Sequence, residues 1–294
     1  MEAFLHDLSW VPPLRTETLT LIFNAFTYLG YTPFFFAFLP LGYWLGDKQM
    51  FTRLTILIGI VALTNTFLKD LFQDPRPAIE FALDKRVGDS FGLPSGHAQV
   101  AAAMWFWLAI EIRRLWAWAL AIIITLGVAA SRIYLGVHDM EDVIAGTLLG
   151  LAIVVIYRAL LSDGFAFWHK LNPIVHLLAI AALVPLFTYA WPRDPVPDAV
   201  LALGVFMFTW VLGHHVQQSL IHHRRHPNWL VAGLSALAAI SILMASFKYG
   251  VEYLAAIGQS QHTITVIQSA FLSLFATLLA PALFRMFRLS APSS

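Results

Sequence analysis

The sequence predicts an all-α protein, a polytopic membrane bundle of about nine transmembrane helices. Of its 294 residues, 59% are hydrophobic and only 12% are charged, and the mean hydropathy is +0.72. These values are typical of an integral membrane protein rather than a soluble domain. A helix needs about 20 apolar residues to cross a bilayer, and nine stretches meet or approach that length. They lie near residues 18–45, 52–72, 96–112, 115–134, 142–161, 173–191, 198–216, 229–248 and 262–286.

The charge and cysteine content of the chain exclude several kinds of function. The formal net charge is +1, so nucleic acid is not an expected partner. The sequence contains no cysteine, which excludes disulfides, thiolate nucleophiles and thiolate metal sites. The oligomeric state is not indicated by any feature of the sequence.

The distribution of charge predicts which side of the membrane each loop faces. With nine spans, the loops near Lys48, Arg113 and Arg224 lie on one side with the C-terminal tail, and this side holds most of the basic residues. The opposite side holds most of the acidic residues and three polar clusters. Positively charged loops stay in the cytoplasm. We therefore expect a cytoplasmic C-terminus, with the clusters facing the periplasm, the cell exterior or an organelle lumen.

The first polar cluster follows the second apolar stretch and contains Lys69, Arg76 and Pro77. Pro75 and Pro77 cannot continue a helix, so the chain turns there and can bring Arg76 back toward Lys69. A guanidinium grips two phosphate oxygens with its planar fork, and an ammonium adds a mobile point charge. The alternative interpretation is a pair of cations that extend to the membrane surface.

The second cluster, Pro94-Ser95-Gly96-His97, begins the third apolar stretch. The first backbone amides of a helix have no partner within it, and the helix dipole favours negative charge there. Gly96 lets an oxyanion approach the backbone and the Ser95 hydroxyl adds a donor, so this segment is suited to binding an anion. His97, in the first turn, is placed to protonate a leaving oxygen. Taken alone, Pro-Ser-Gly also fits an ordinary helix start.

The third cluster lies between the fourth and fifth stretches and contains Ser131-Arg132, His138 and Asp142. His138 and Asp142 are four residues apart, which places them on one face if the helix has begun. A carboxylate there fixes the imidazole tautomer and leaves the other ring nitrogen free to attack. Asp139 or Glu141 remain alternative partners, although their shorter spacing suits a helix cap better. An ordinary cap also explains the pair taken alone.

The three clusters are more informative together than apart. All of them fall on one predicted side of the membrane, at the ends of four successive spans. A charge at the bilayer centre costs roughly 2.5 to 3.5 kcal/mol on insertion scales, so polar groups beside spans need a reason. Three cations, two histidines and an orienting acid suit phosphoryl transfer through a covalent intermediate.

The clusters resemble the three-part signature of the type 2 phosphatidic acid phosphatase superfamily, which reads K-x6-RP, PSGH and SR-x5-H-x3-D. Every fixed position of that signature is matched, and the resemblance covers roughly residues 18–162. It implies a phosphatase catalytic core with five transmembrane helices over residues 1–165 and an extension of about four more over residues 166–294. This extended architecture is similar to that of long, many-span members such as glucose-6-phosphatase and sphingosine-1-phosphate phosphatase.

The resemblance also implies a role for each matched residue. His138 is expected to be the nucleophile that forms a phosphohistidine, Asp142 to orient it, and His97 to protonate the leaving group. The residues expected to bind the phosphate oxygens are Lys69, Arg76, Ser95, Gly96 and Arg132. Since cationic side chains take the place of a metal, neither a metal nor another cofactor is expected.

The expected function is hydrolysis of a lipid phosphate or lipid pyrophosphate, independent of metal, with a lipid phosphate substrate and membrane lipids as partners. The preference for a lipid rests on the membrane-level placement of the site, where a headgroup already lies. The alternatives are a small sugar-phosphate phosphatase similar to glucose-6-phosphatase, a lipid phosphotransferase, and a lipid transporter or scaffold. Transporter sites usually lie near the middle of the membrane, whereas these clusters lie at one face.

Overall fold

The chain is all-α, as its composition predicts. A computed structural model describes residues 5–87, 90–162 and 173–290, which form helices, turns and an isolated β-bridge between Arg225 and Ser290. The α-helices are α1 (Glu17–Tyr28), α2 (Thr32–Leu45), α3 (Lys48–Phe72), α4 (Gly96–Ile112), α5 (Leu115–Tyr134), α6 (Met140–Leu160), α7 (Pro173–Tyr189), α8 (Asp198–Val216), α9 (Trp229–Ala256), α10 (Gln261–Leu274) and α11 (Ala280–Met286).

Long apolar helices make this a polytopic membrane protein. Within the described ranges, six helices are long and apolar enough to cross a membrane, and the number rises to seven if the bent pair α1 and α2 forms one span. These two helices meet at an angle of 54°. Helix α4 has 17 residues, and α7 is also short for a span. The polytopic bundle is thus confirmed, while the count of nine spans stays a prediction.

The chain divides into two compact units. The first comprises Met1–Phe35 and Ile60–His169, and the second comprises Phe36–Gly59 and Lys170–Ser294. In the first unit, α4 packs against α5 and α6, and α1 packs against α5. In the second, α8 packs against α7 and α10, and α9 also packs against α10. The predicted division at residue 165 into a catalytic core and an extension stays a prediction.

Small residues bring α4 and α6 into close contact. Ala98, Ala102 and Ala103 on α4 are fully buried. On α6, a Cβ added to Gly146 would lie 2.4 Å from the carbonyl oxygen of Ser95, and one added to Gly150 would lie 2.4 Å from that of Gln99. Between membrane helices, small side chains allow backbones to approach closely and to pack through van der Waals contact. The start of α4 is therefore held directly against the backbone of α6.

The segment between α3 and α4 folds back over the turn between α5 and α6. It carries two short 3₁₀ turns, Ile79–Phe81 and Lys85–Val87. The amide of Leu83 donates to the carbonyl oxygen of Leu135 at 2.9 Å. Gly136 has a φ of +69°, and a Cβ there would lie 1.9 Å from the carbonyl oxygen of Phe81. Glycine is needed at this position, both for the backbone conformation and for the close approach.

The second unit is held by buried polar contacts as well as by apolar packing. The indole Nε1 of Trp44 donates to the carbonyl oxygen of Ala276 at 2.7 Å, and both the indole ring and this alanine are buried. Tyr43 Oη lies 3.1 Å from Nδ1 of His214, and His214 is only 3% exposed. These contacts tie helices α2 and α8 and the segment after α10 together within this unit.

We predict that Gly146→Ala destabilises the protein because the new Cβ meets a backbone oxygen that cannot move without shifting α4. Overpacking of this kind costs about 1 to 3 kcal/mol, and the melting temperature in detergent should fall. Gly233→Ala is the matched control, because a Cβ at Gly233 meets no described atom within 4 Å. Replacing Gly by Ala at such a helical position should stabilise the protein slightly or leave it unchanged. Equal melting temperatures for the two variants would contradict the close packing of α4 on α6.

Candidate active site

All eight predicted site residues lie in the first unit, at the ends of four helices. Lys69 lies in the last turn of α3, and Arg76 follows in the connecting segment. Ser95 is the N-cap of α4, with Gly96 and His97 in its first turn. Arg132 lies in the last turn of α5, His138 in the turn between α5 and α6, and Asp142 in the first turn of α6.

His138 and Asp142 form a buried pair. Nδ1 of His138 lies 2.8 Å from Oδ2 of Asp142, and the two residues are 2% and 1% exposed. Since an ionised carboxylate only accepts, Nδ1 carries the proton and Nε2 keeps its lone pair. Asp139 does not contact His138 in this way; it is the N-cap of α6, and its Oδ1 accepts from the amide of Asp142 at 3.0 Å. Asp139 and Glu141 also contact His6, at 2.7 and 3.1 Å.

The two cations of the first cluster, Arg76 and Lys69, are held near this pair, and Arg76 lies next to Nε2 of His138. Arg76 Nη1 lies 3.1 Å from Nε2 of His138 and donates to the carbonyl oxygen of Val137 at 2.7 Å. The other nitrogens of Arg76 donate to the backbone oxygen and the hydroxyl of Ser90, at 2.6 and 2.8 Å. Lys69 Nζ donates to the carbonyl oxygens of Phe91 and Gly92. The loop thus supplies the acceptors that hold both cations.

The surroundings keep His138 neutral. Burial lowers its pKa well below the ordinary value, and the positive charges of Arg76, Lys69 and Arg132 lower it further. Burial and the charge of Arg132 also lower the pKa of Arg76 to about 10, so Arg76 remains charged at neutral pH. A neutral imidazole whose unprotonated Nε2 lies beside cations is suited to nucleophilic attack on an anion.

The backbone at the start of α4 contacts the backbone of Asp142, a member of the buried pair. The amide of Ser95, the residue before the helix, donates to the carbonyl oxygen of Asp142 at 2.9 Å. Asn65, which the sequence did not single out, donates to the carbonyl oxygen of Pro94 at 3.0 Å. A Cβ on Gly96 would lie 2.9 Å from Oδ1 of Asn65. A side chain larger than glycine therefore does not fit there without a shift of Asn65.

Several buried donors in this region have no hydrogen-bond partner among the described residues. They are the hydroxyl of Ser95, Nε2 of His97, and Nε and Nη2 of Arg132. Ser95 and Arg132 are both fully buried. Buried polar groups nearly always have partners, so such a group of donors demands an explanation. Hydroxyl, imidazole and guanidinium groups are all suited to the oxygens of a tetrahedral oxyanion.

The sequence analysis missed the group that holds Arg132. Nη1 of Arg132 donates to the hydroxyl of Thr27 and, at 3.1 Å, to Oδ2 of Asp84. Asp84 also accepts from the hydroxyl of Tyr31 and from Nε of Arg86 at 2.8 Å. Burial alone raises the pKa of Asp84, but the hydrogen bonds from Arg86, Tyr31 and Arg132 outweigh it and hold that pKa below its ordinary value. Asp84 lies in a short polar loop next to basic residues, a pattern typical of a solvated surface, so the sequence does not mark it.

Residues 50–166 match the family model described as the PAP2 superfamily. This range contains every predicted site residue. The chain is 25% identical over 232 residues to lipid phosphate phosphatase delta of Arabidopsis thaliana, a match that covers 72% of this chain and 56% of that protein. It is 32% identical over 147 residues to human sphingosine-1-phosphate phosphatase 2, covering 47% of this chain and 37% of that protein. The chain therefore spans about half the length, or less, of these curated relatives.

Among solved structures, the chain is similar to the first transmembrane PAP2 type phosphatidylglycerolphosphate phosphatase from Bacillus subtilis. The sequence identity is 25% and the TM-score is 0.46. The similarity covers 56% of this chain and 84% of that one.

We predict that the imidazole of His138 stays neutral at pH values where a histidine in water is protonated. Burial and the neighbouring cations lower its pKa, so the ring should keep a single proton from about pH 7.5 to below about pH 6.5. Nitrogen chemical shifts of isotope-labelled histidine side chains in detergent, recorded across this range, measure the protonation of the ring.

His138→Asn identifies the signals, because those of the His138 ring should be missing from its spectrum. Protonation of His138 near pH 6.5 in the wild type would contradict the neutral, buried state of this imidazole.

Proposed function

We propose that this chain, which belongs to the PAP2 superfamily through residues 50–166, is an integral-membrane phosphatase that hydrolyses a lipid phosphate or a lipid pyrophosphate. The family match confirms the resemblance inferred from the three polar clusters. The lipid substrate is supported by the printed names of the relatives, which are a lipid phosphate phosphatase and a sphingosine-1-phosphate phosphatase. It is also supported by the placement of the site at the ends of apolar helices, next to where a lipid headgroup lies.

The observation that carries this proposal is the convergence around Nε2 of His138. The imidazole is oriented by a carboxylate on one side, and its unprotonated Nε2 accepts from the guanidinium of Arg76 at 3.1 Å on the other. Nearby, buried donors on Ser95, His97 and Arg132 lack partners within the described part of the chain. A phosphate at this place satisfies the donors and presents its phosphorus to the lone pair of Nε2. A simple helix cap accounts for neither the cations nor the unpartnered donors.

The proposed reaction has two steps. In the first, the lone pair of His138 Nε2 attacks phosphorus, the bond from phosphorus to the ester oxygen breaks, and His97 protonates the leaving oxygen. Asp142 stabilises the positive charge that develops on the imidazole. In the second, His97 takes a proton from water, whose oxygen attacks phosphorus and releases inorganic phosphate and free His138. Lys69, Arg76 and Arg132 supply the charge that binds the phosphate oxygens, so the proposal requires no metal ion.

The proposal includes an orientation in the membrane. With nine spans, the basic loops lie in the cytoplasm together with the C-terminus. The three clusters then face the periplasm, the cell exterior or an organelle lumen. A lipid phosphate in the leaflet on that side reaches the site laterally, with its headgroup at the ends of α3 and α5.

We predict that the purified protein in detergent, without added divalent metal, releases inorganic phosphate from at least one lipid phosphate, and that His138→Ala abolishes this release. The assay compares phosphatidic acid, a polyprenyl pyrophosphate, sphingosine 1-phosphate and glucose 6-phosphate. Loss of a nucleophile should reduce the rate by at least about 10³-fold. An alkali-stable, acid-labile phosphoenzyme should form in the wild type and be missing from the variant.

His262→Ala is the matched control, because it removes a histidine that is largely exposed and belongs to the second unit. It should retain wild-type activity. Equal rates for His138→Ala and the wild type would refute the proposed nucleophile. Activity on glucose 6-phosphate alone would move the substrate class to small sugar phosphates, and silence toward every substrate would favour a transporter or a scaffold.

The orientation can be tested by cysteine labelling, because the sequence has no cysteine. Glu80→Cys lies in the exposed part of the segment between α3 and α4, and Ser162→Cys lies at the end of α6. In intact cells or sealed vesicles of native orientation, a membrane-impermeant maleimide should label position 80 and not position 162. Permeabilisation should expose both. The reverse pattern would place the site on the cytoplasmic side.

A further inference from the structure

A buried carboxylate outside the three motifs joins the phosphate-binding cluster to its surroundings. Asp84 is 4% exposed and accepts from Nη1 of Arg132 at 3.1 Å, from Nε of Arg86 at 2.8 Å and from the hydroxyl of Tyr31. The guanidinium of Arg86 lies over the ring of Tyr31, 4.3 Å from its centroid. The carboxylate thus accepts from side chains in three separate parts of the chain.

One nitrogen of Arg132 has hydrogen-bond partners among the described residues, and the other two have none. Nη1 donates to both Asp84 and the hydroxyl of Thr27, which uses its two protons. Nε and Nη2, which form one edge of the planar group, are buried and have no partner in the described ranges. This edge is the fork that binds two oxygens of a phosphate. Because the group is planar, anchoring Nη1 from two sides also fixes the direction of the free edge.

The same carboxylate also supports the predicted acid. The hydroxyl of Tyr31 donates to Asp84, and its ring packs edge-on against His97, with centroids 4.6 Å apart and an interplanar angle of 81°. Gly30 allows this approach, since a Cβ there would lie 2.4 Å from Cδ2 of His97. The position of Tyr31 is therefore set at both ends, by the carboxylate and by the imidazole.

We propose that Asp84 is a positioning residue, which anchors Nη1 of Arg132 so that its Nε and Nη2 edge faces the phosphate, and which holds Tyr31 against His97. This inference rests on the proposed function and adds to it a residue outside the family signature. Asp84 acts through Arg132 and Tyr31, because its two oxygens are already occupied by their donors and by Arg86. Removing it should therefore weaken phosphate binding without removing the nucleophile.

The test compares Asp84→Asn and Asp84→Ala with Glu80→Gln, an exposed acid of the same segment, which should behave as the wild type. In the Asp84 variants, KM for the lipid phosphate and the inhibition constant of inorganic phosphate should rise roughly 10- to 100-fold, with a smaller change in kcat. Tyr31→Phe removes one donor and keeps the ring, so its effect should be a few-fold at most. Melting temperatures confirm that each variant is folded.

A double variant separates positioning from a general structural role. If Asp84 acts mainly through Arg132, then Asp84→Asn should add little to the loss caused by Arg132→Ala, because the two changes remove one interaction. The full effect of Asp84→Asn in the Arg132→Ala background would overturn the proposal. Unchanged KM and phosphate inhibition in folded Asp84 variants would overturn it as well.

Binding of inorganic phosphate, measured as a rise in melting temperature, keeps this test independent of turnover. If the wild type hydrolyses no lipid phosphate but is stabilised by phosphate, and Asp84→Asn loses that stabilisation while Glu80→Gln keeps it, the proposed function fails and the positioning role stands. If the wild type is active and its stabilisation by phosphate is unchanged in Asp84→Asn, the proposed function stands and the positioning role fails.

Discussion

The burial of positive charge beside a membrane is the constraint that shapes the first unit. Arg132 is fully buried, and an uncompensated charge in such a place is strongly destabilising. Asp84 compensates the charge, and the hydroxyl of Thr27 accepts a second hydrogen bond. Arg76 and Lys69 are held in another way, by backbone carbonyl oxygens of the segment before α4 and of the turn after α5. Much of the long connection between α3 and α4 thus serves to hold cations.

Helix packing converts these local contacts into a site with fixed geometry. The contact of Gly146 with the backbone of Ser95 and the hydrogen bond from Ser95 to Asp142 join the start of α4 to the first turn of α6. Asp142 in turn holds His138 through Nδ1. The proposed nucleophile, its proposed orienting acid and the serine of the second cluster are therefore joined by direct contacts. A reacting group must be held to within about 0.5 Å, and contacts between helices achieve this better than loops do.

The fold and the motif residues could be predicted because their signals are local. Hydropathy gives the helices, and the four-residue spacing of His138 and Asp142 places them on one face of α6, as their 2.8 Å contact requires. Hydropathy alone does not give the number of spans, because α1 and α2 meet at 54° and α4 has only 17 residues. Turns that bend or shorten a span depend on tertiary packing, which hydropathy does not describe.

The residues that anchor Arg132 could not be predicted, for a different physical reason. Thr27 and Asp84 lie 105 and 48 residues away from it along the chain, so no periodicity connects them. Aspartate in a polar loop next to basic residues has the sequence pattern of a solvated surface. Only folding of the loop onto α5 turns it into a buried acceptor.

The two buried acids limit how tightly the proposed site holds phosphate. Asp84 contacts Arg132 and Asp142 lies within electrostatic range of Lys69, so the two acids offset part of the positive charge of Lys69, Arg76 and Arg132. Cations without these acids would bind substrate, product and transition state alike, and uniform binding does not raise kcat. In the proposed reaction Asp142 acts when the imidazole becomes positive, and the free edge of Arg132 acts on the transferring oxygens. Because the acids offset part of the charge of the cations, the proposed site stabilises the transition state more than it binds the product.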